Sequence, residues 1–159
     1  HVFGYSLGGY VALYHAHHHP GDLGRIVTLG TKYEWTPKTV EEQFGFLDVQ
    51  KIKTEIPQLQ QSFAQLHGER WEELVIKTRG FVEQLGDDPP IDEPFCKRIF
   101  NPVLILRGDK DRMVGTHESE SVATWLPHGR FETLTETPHP IERVDMDRLS
   151  RVIRQHLAG

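Results

Sequence analysis

Residues 1–18 must leave an extended strand and enter a helix within a few residues. Val2-Phe3 is apolar, Gly4-Tyr5-Ser6-Leu7-Gly8 follows, and an Ala/Val/Leu/Tyr stretch begins directly behind it. A second buried run, Arg25-Ile-Val-Thr-Leu29, closes at Gly30. Strand, helix, strand over so short a span calls for a parallel sheet with a crossover helix. The turn itself has the G-x-S-x-G spelling. A serine hydroxyl is a weak nucleophile until a base takes its proton, and the tip of a tight turn exposes it to both base and substrate. Glycines 4 and 8 are expected to leave room there, since a Cβ at either would press on the adjoining strand or helix. The backbone N–H of Leu7, at the helix start, can face an oxyanion. The same pentapeptide also spells an ordinary Gly-rich turn, so its meaning depends on an acid and a histidine following in suitable places.

The chain has 159 residues, 37% hydrophobic and 26% charged, the balance of a folded domain. Its net charge of −5, without a long basic run, argues against nucleic-acid or anionic-membrane partners. One cysteine, Cys96, leaves no internal disulfide framework and fits a reducing compartment. No signal peptide is visible, and a cytoplasmic location is expected on that ground. No apolar run approaches the roughly 18 residues of a spanning helix. The chain opens on His1, already inside the first expected strand. It is therefore expected to be the C-terminal portion of a longer protein.

In order, Leu7 to about His18 reads as a helix in which Val11, Leu13 and Tyr14 are apolar and Ala12 and Ala16 small, ended by Pro20-Gly21. Its tail carries His15, His17, His18 and His19. His15 and His19 share a helical face, which two metal ligands could use, but no Glu or Cys completes a set. Histidine there also complements the helix dipole, and no metal is expected. Residues 31–101 carry helical periodicity without a convincing strand and read as a helical cap insertion. Its aromatic residues Trp35, Phe44, Phe46, Phe63 and Trp71 are candidates to face a substrate, although aromatics at such spacing are commonly core. Pro102-Val-Leu-Ile-Leu106 reads as a central parallel strand buried on both faces. A helix over 116–126, a strand over 130–134 and a last helix over about 141–157 complete the pattern. The expected fold is α/β, a parallel sheet of about four strands with flanking helices. Residues 1–30 and 102–159 form its core and 31–101 the insertion.

In open α/β sheets, reactive groups gather beyond the carboxyl ends of the strands. Ser6, Asp111 and His139 each fall in such a loop, in the chain order Ser, Asp, His. Asp109 competes with Asp111 but suits bonding to loop backbone. His117 and His128 compete with His139, yet one opens a helix and the other precedes a strand. Three stretches, Gly4-Tyr5-Ser6-Leu7-Gly8-Gly9, Pro102 to Asp111, and Pro138-His139 with Glu142, together resemble the C-terminal part of a cap-bearing α/β-hydrolase. That resemblance implies Ser6 as nucleophile, His139 as base, Asp111 as orienting acid and the Leu7 N–H as an oxyanion donor. It selects Asp111 because the family's acid usually lies three residues past the glycine. Pro138 departs from the glycine that commonly precedes the family's histidine.

The function so implied is hydrolysis of small carboxylic esters or thioesters through an acyl-enzyme, without cofactor. Tyr5, Trp35 and Phe44 are the expected substrate-binding residues. Alternatives are a C–C hydrolase or lyase of the same fold, or a binding module or incompetent fragment that retains the three residues. A haloalkane dehalogenase would carry aspartate at position 6. The resemblance also implies strands before residue 1 and a second oxyanion donor there. Pairing of the exposed first strand with a missing N-terminal half, or with a second copy, is therefore expected.

Overall fold

The computed structural model describes all 159 residues, 1–159. In chain order they form β1 (Val2–Tyr5), α1 (Leu7–His18), β2 (Ile26–Leu29), α2 (Pro37–Phe44), α3 (Val49–Glu55), α4 (Pro57–His67), α5 (Trp71–Asp87), α6 (Glu93–Cys96), β3 (Val103–Gly108), α7 (Thr116–Trp125), β4 (Gly129–Leu134) and α8 (Met146–Ala158). No helix is long and apolar enough to cross a membrane. Two compact units result: His1–Tyr33 with Pro90–Gly159, and Glu34–Pro89.

The first unit is a four-stranded sheet in the order β1-β2-β3-β4, parallel throughout. β2 and most of β3 are buried on both faces, whereas β1 and β4 form its edges and are more exposed. Alternation sends Phe3, Tyr5, Val27, Leu29, Leu104, Leu106 and Leu134 to one face, where they pack with Val144, Leu149 and further residues of α8. Helices α1 and α7 lie on the strands' other side, α1 against β1 and β2 and α7 against β3 and β4. The register aligns the strand ends: Tyr5 faces Leu29, Leu29 faces Leu106, and Gly108 faces Leu134. The ladder then continues into the loops, with Ser6 N donating to Leu29 O (2.8 Å), Gly30 N to Leu106 O (3.0 Å) and Asp109 N to Leu134 O (3.0 Å).

On α1, Gly9, Tyr10, Ala12, Leu13 and Ala16 are buried, and Val11 and Tyr14 are exposed (53% and 44%). Two sequence expectations need correction here. Gly8 is not the tight position. A Cβ on Gly8 meets nothing within 4 Å, whereas one on Gly9 would overlap Thr31 Oγ1 and come within 2.9 Å of Thr28 Cβ. Gly4 does need its bareness, since a Cβ there would lie 2.5 Å from backbone atoms of Gly8 and Gly9. The last helix also begins later than expected. Ile141–Arg143 is a single 3₁₀ turn, and α8 starts behind Asp145, whose carboxylate accepts from Arg148 N at 3.0 Å.

The second unit is helical. Ile52, Trp71 and Val75 form a core into which Leu47, Val49, Leu59 and Phe63 pack. Thr36 and Thr39 cap α2 reciprocally, Asp48 caps α3, and Pro37 and Pro57 open α2 and α4 where a missing N–H is harmless. Its bounds are narrower than 31–101. Ile91, Phe95, Cys96 and Ile99 are buried and belong to the sheet unit, where Phe95 stacks on His17 with ring centroids 3.8 Å apart.

Candidate active site

Ser6 stands between the end of β1 and the first residue of α1, with φ 52° and ψ −124°. That conformation is disfavoured for a residue with a Cβ and persists only where the surroundings enforce it. Here the ladder bond from Ser6 N and a bond from Thr31 Oγ1 to the Ser6 carbonyl (2.9 Å) hold the peptide from both sides. Leu7 is the first helical residue, so its N–H has no acceptor within α1.

Asp111 follows β3. Its Oδ1 accepts from Met113 N (2.8 Å) and Val114 N (3.1 Å), which closes a tight turn. Arg107 braces the same turn from the strand, donating through Nε to Val114 O and through its guanidinium to Asp111 O. Oδ2 is then left to meet His139 Nδ1 at 2.8 Å. The far ring nitrogen, Nε2, lies 3.2 Å from Ser6 Oγ. A carboxylate only accepts, so Nδ1 carries the imidazole proton and Nε2 keeps a lone pair for the serine hydroxyl. The Asp111 side chain is 1% exposed and that of His139 12%. Burial pushes the Asp111 carboxyl up. The hydrogen bond from His139, those from Met113 and Val114, and the histidine's charge outweigh it, and the net shift is below the ordinary value of 3.8. The acid therefore remains ionised beside the imidazole.

Gly30 lies against this pair. Its φ is +59°, and a Cβ there would stand 3.1 Å from Asp111 Oδ2 and 3.3 Å from His139 Nδ1. Farther back, Glu118 is buried and bridges two loops, accepting from Gly115 N (2.6 Å) and Tyr33 N (2.7 Å), with Lys32 Nζ at 3.5 Å.

No family model matches the chain. A curated relative, 2-hydroxymuconate semialdehyde hydrolase from Pseudomonas putida, is 23% identical over 173 residues, covering 99% of this chain and 62% of that protein. An α/β hydrolase from a Medee basin deep-sea metagenome library superposes with a TM-score of 0.70 at 16% identity, over 99% of this chain and 64% of the other. A thermophilic esterase from Thermogutta terrifontis gives 0.67 at 21% identity, over 98% and 63%. The chain has the α/β-hydrolase fold. It spans less than two thirds of the length of each of these proteins.

The α/β-hydrolase fold brings Ser6, Asp111 and His139 together from three loops at the aligned strand ends. The competitors lie elsewhere. Asp109 Oδ1 accepts from Thr137 N at 3.1 Å, the loop-backbone role its position suggested. His117 and His128 are exposed at the start of α7 and before β4. Tyr5 was expected to face a substrate, but its hydroxyl donates to the His139 carbonyl at 2.8 Å on the α8 side of the sheet. Trp35 is buried, and Phe44 is half-buried with the Arg79 guanidinium 4.1 Å over its ring. Trp71 and Phe63 belong to the helical unit's core, and Phe46 is exposed. Among the α1 histidines, His15 pairs with Asp22 at 3.3 Å and stacks on His19, and His17 Nδ1 lies 3.0 Å from Phe95 O. No group of three or more His, Cys, Asp and Glu side chains is placed to hold a metal ion.

The supports of the site are what residue-by-residue reading missed. Arg107 sits inside a quoted motif, and Gly30 directly ends a strand, which is the one signal for each. Thr31 and Glu118 carry no local mark, because their roles come from loops distant in sequence.

Proposed function

We propose that this chain carries the reactive machinery of a serine hydrolase that cleaves small carboxylic esters or thioesters. The supporting observation is the continuous hydrogen-bonded row Ser6 Oγ, His139 Nε2, His139 Nδ1, Asp111 Oδ2, with Ser6 at positive φ on the strand-to-helix turn. In this reading His139 Nε2 takes the Ser6 proton as Oγ attacks the carbonyl carbon. Asp111 keeps the ring in the tautomer that can do so and steadies the imidazolium. The oxyanion of the tetrahedral adduct accepts from the Leu7 N–H. The C–O or C–S bond then breaks, and the leaving alkoxide or thiolate takes the proton from His139. Water attacks the acyl-Ser6, again giving its proton to His139, and the carboxylic acid departs.

Hydrolysis of p-nitrophenyl acetate and butyrate, measured on this chain and on Ser6→Ala, tests the reading. Turnover that disappears in the variant is expected. Equal rates in the two proteins overturn it. A second reading, hydrolysis of a C–C bond beside a carbonyl, is favoured by the likeness to 2-hydroxymuconate semialdehyde hydrolase. A vinylogous diketone consumed faster than either ester, with the same dependence on Ser6, would select it.

A further inference from the structure

His139 lies in a loop poor in anchoring donors. Pro138 and Pro140 flank it, so neither neighbour has a backbone N–H to fasten the chain. Glu136 in the same loop has φ 53°, a conformation disfavoured for a non-glycine residue. One fastening is upstream, where Thr137 N donates to Asp109 and Lys110 N donates to Thr137 O at 3.1 Å. At the histidine itself, the backbone carbonyl accepts from the Tyr5 hydroxyl at 2.8 Å. The two rings also touch, with centroids 5.4 Å apart and planes inclined at 42°. Tyr5 is covalently next to Ser6. One side chain therefore ties the backbone of the proposed base to the peptide that carries the proposed nucleophile, across 134 residues of sequence.

We infer that Tyr5 is a positioning residue, whose hydroxyl sets the distance between His139 Nε2 and Ser6 Oγ. Its kinetic consequence rests on the hydrolase reading, whereas its structural consequence does not. The phenol is suited to the task. Burial, reinforced by the charges of Glu142 and Asp111, raises it above its ordinary 10.0 against an opposing backbone hydrogen bond from Ile141, so it stays a protonated donor. A phenylalanine would keep the ring contact and the packing against α8 while leaving the His139 carbonyl without this donor. The imidazole would then be free to move along the Ser6–His139 axis.

Tyr5→Phe isolates the hydroxyl, and two readouts decide the matter. The first is the rate at which a small fluorophosphonate labels Ser6 per folded molecule, together with kcat and KM on p-nitrophenyl butyrate. A fall of about tenfold in labelling rate and in kcat, with KM unchanged, is the expected size for losing one positioning hydrogen bond. A purely structural role would lower the melting temperature and leave the rate per folded molecule alone, and that pattern overturns the inference. The second readout is the proton resonance of His139 Nδ1–H, bonded to Asp111. It should be sharp in the parent chain and exchange-broadened or lost in Tyr5→Phe, and an unchanged resonance overturns the inference. A parent chain in which Ser6 fails to label refutes the hydrolase reading, and the resonance then decides the role of Tyr5 by itself.

Discussion

The two glycines that begin α1 should respond to alanine in opposite directions. Gly8 is exposed, has a helical backbone and would present its Cβ to open space. Alanine loses less chain entropy there, which is worth about 0.4–1 kcal/mol of added stability. Gly9 gains the same entropy term but meets Thr31 Oγ1 and Thr28 Cβ. Overpacking a well-filled contact costs about 1–3 kcal/mol. Moving Thr31 also strains its bond to the Ser6 carbonyl, a further ~1 kcal/mol. The net for Gly9→Ala is therefore a loss of about 2 kcal/mol. At roughly 2–4 °C per kcal/mol for a chain of this size, Gly8→Ala should melt about 1–4 °C higher and Gly9→Ala about 4–8 °C lower. Far-UV circular dichroism during heating, checked by urea titration at 25 °C, measures both. If Gly8→Ala proves as damaging as Gly9→Ala, the motif glycine is required for a reason the packing does not contain, and the reasoning from contacts fails.

Gly30→Ala should lower the rate of Ser6 labelling by an order of magnitude or more, because a Cβ 3.1 Å from Asp111 Oδ2 pushes apart the Asp–His pair, while about 1–2 kcal/mol of stability is lost to positive φ; parent-like labelling would show that the pair has slack. Asp111→Asn should reduce kcat by about 10³–10⁴ by releasing the imidazole tautomer, in a chain that still folds at neutral pH. Because the Asp111 carboxyl sits below its ordinary 3.8, its stabilising effect is present above that value and disappears as pH falls through the lowered one, so the substitution should flatten the acid limb of stability against pH. His156 is shifted in the same direction, in a higher pH window: burial first, then the charges of Arg25 and Arg130, lower it below 6.5 against its bond to the Pro102 carbonyl. The unfolded chain thus binds the proton first, stability falls as pH drops below 6.5 toward the native value, and His156→Gln should shrink the difference between urea midpoints at pH 8 and pH 5.

The interior strands were legible because β2 and most of β3 are short apolar runs buried on both faces, as interior parallel strands are, whereas β4 (Gly129–Leu134) mixes Arg130 and Glu132 with Phe131 and Leu134. The placing of Ser6 and Asp111 was legible for a related reason, since a residue just past a strand end has little freedom about where it goes, whereas His139 was read from the chain order Ser, Asp, His and from its loop following β4. What escaped was set by partners remote in sequence. Whether Gly8 or Gly9 is the tight position depends on Thr28 and Thr31, not on the spelling of the turn. The start of α8 depends on Asp145 as a cap, which outcompeted an apolar pattern beginning at Ile141. Tyr5 was misplaced because alternation along β1 sends its side chain to the α8 face, and only the folded loop brings the His139 carbonyl there.

The three residues of the proposed catalytic row are not held equally well. Ser6 continues the β1–β2 ladder through its own N–H, and Asp111 closes a turn on its own carboxylate directly behind β3. Ser6 is thereby tied to the interior strand β2 through its bond to Leu29 O, and Asp111 follows the interior strand β3. His139 lies farther from its strand end, Leu134, than Ser6 does from Tyr5 or Asp111 from Gly108. One backbone bond, from Lys110 N to Thr137 O, fastens its loop, and the other named bonds run to side chains: Asp109 at Thr137, Tyr5 at the His139 carbonyl, and Asp111 at its ring. Local opening concentrates where backbone pairing is sparse and depends on a few side-chain bonds. The Ser6–His139 contact, at 3.2 Å the longer link of the row, therefore depends on the least secured of the three loops. On the proposed reading, loss of reactivity and loss of fold should be separable in this chain, through substitutions that unfasten residues 135–140 rather than those that weaken the sheet.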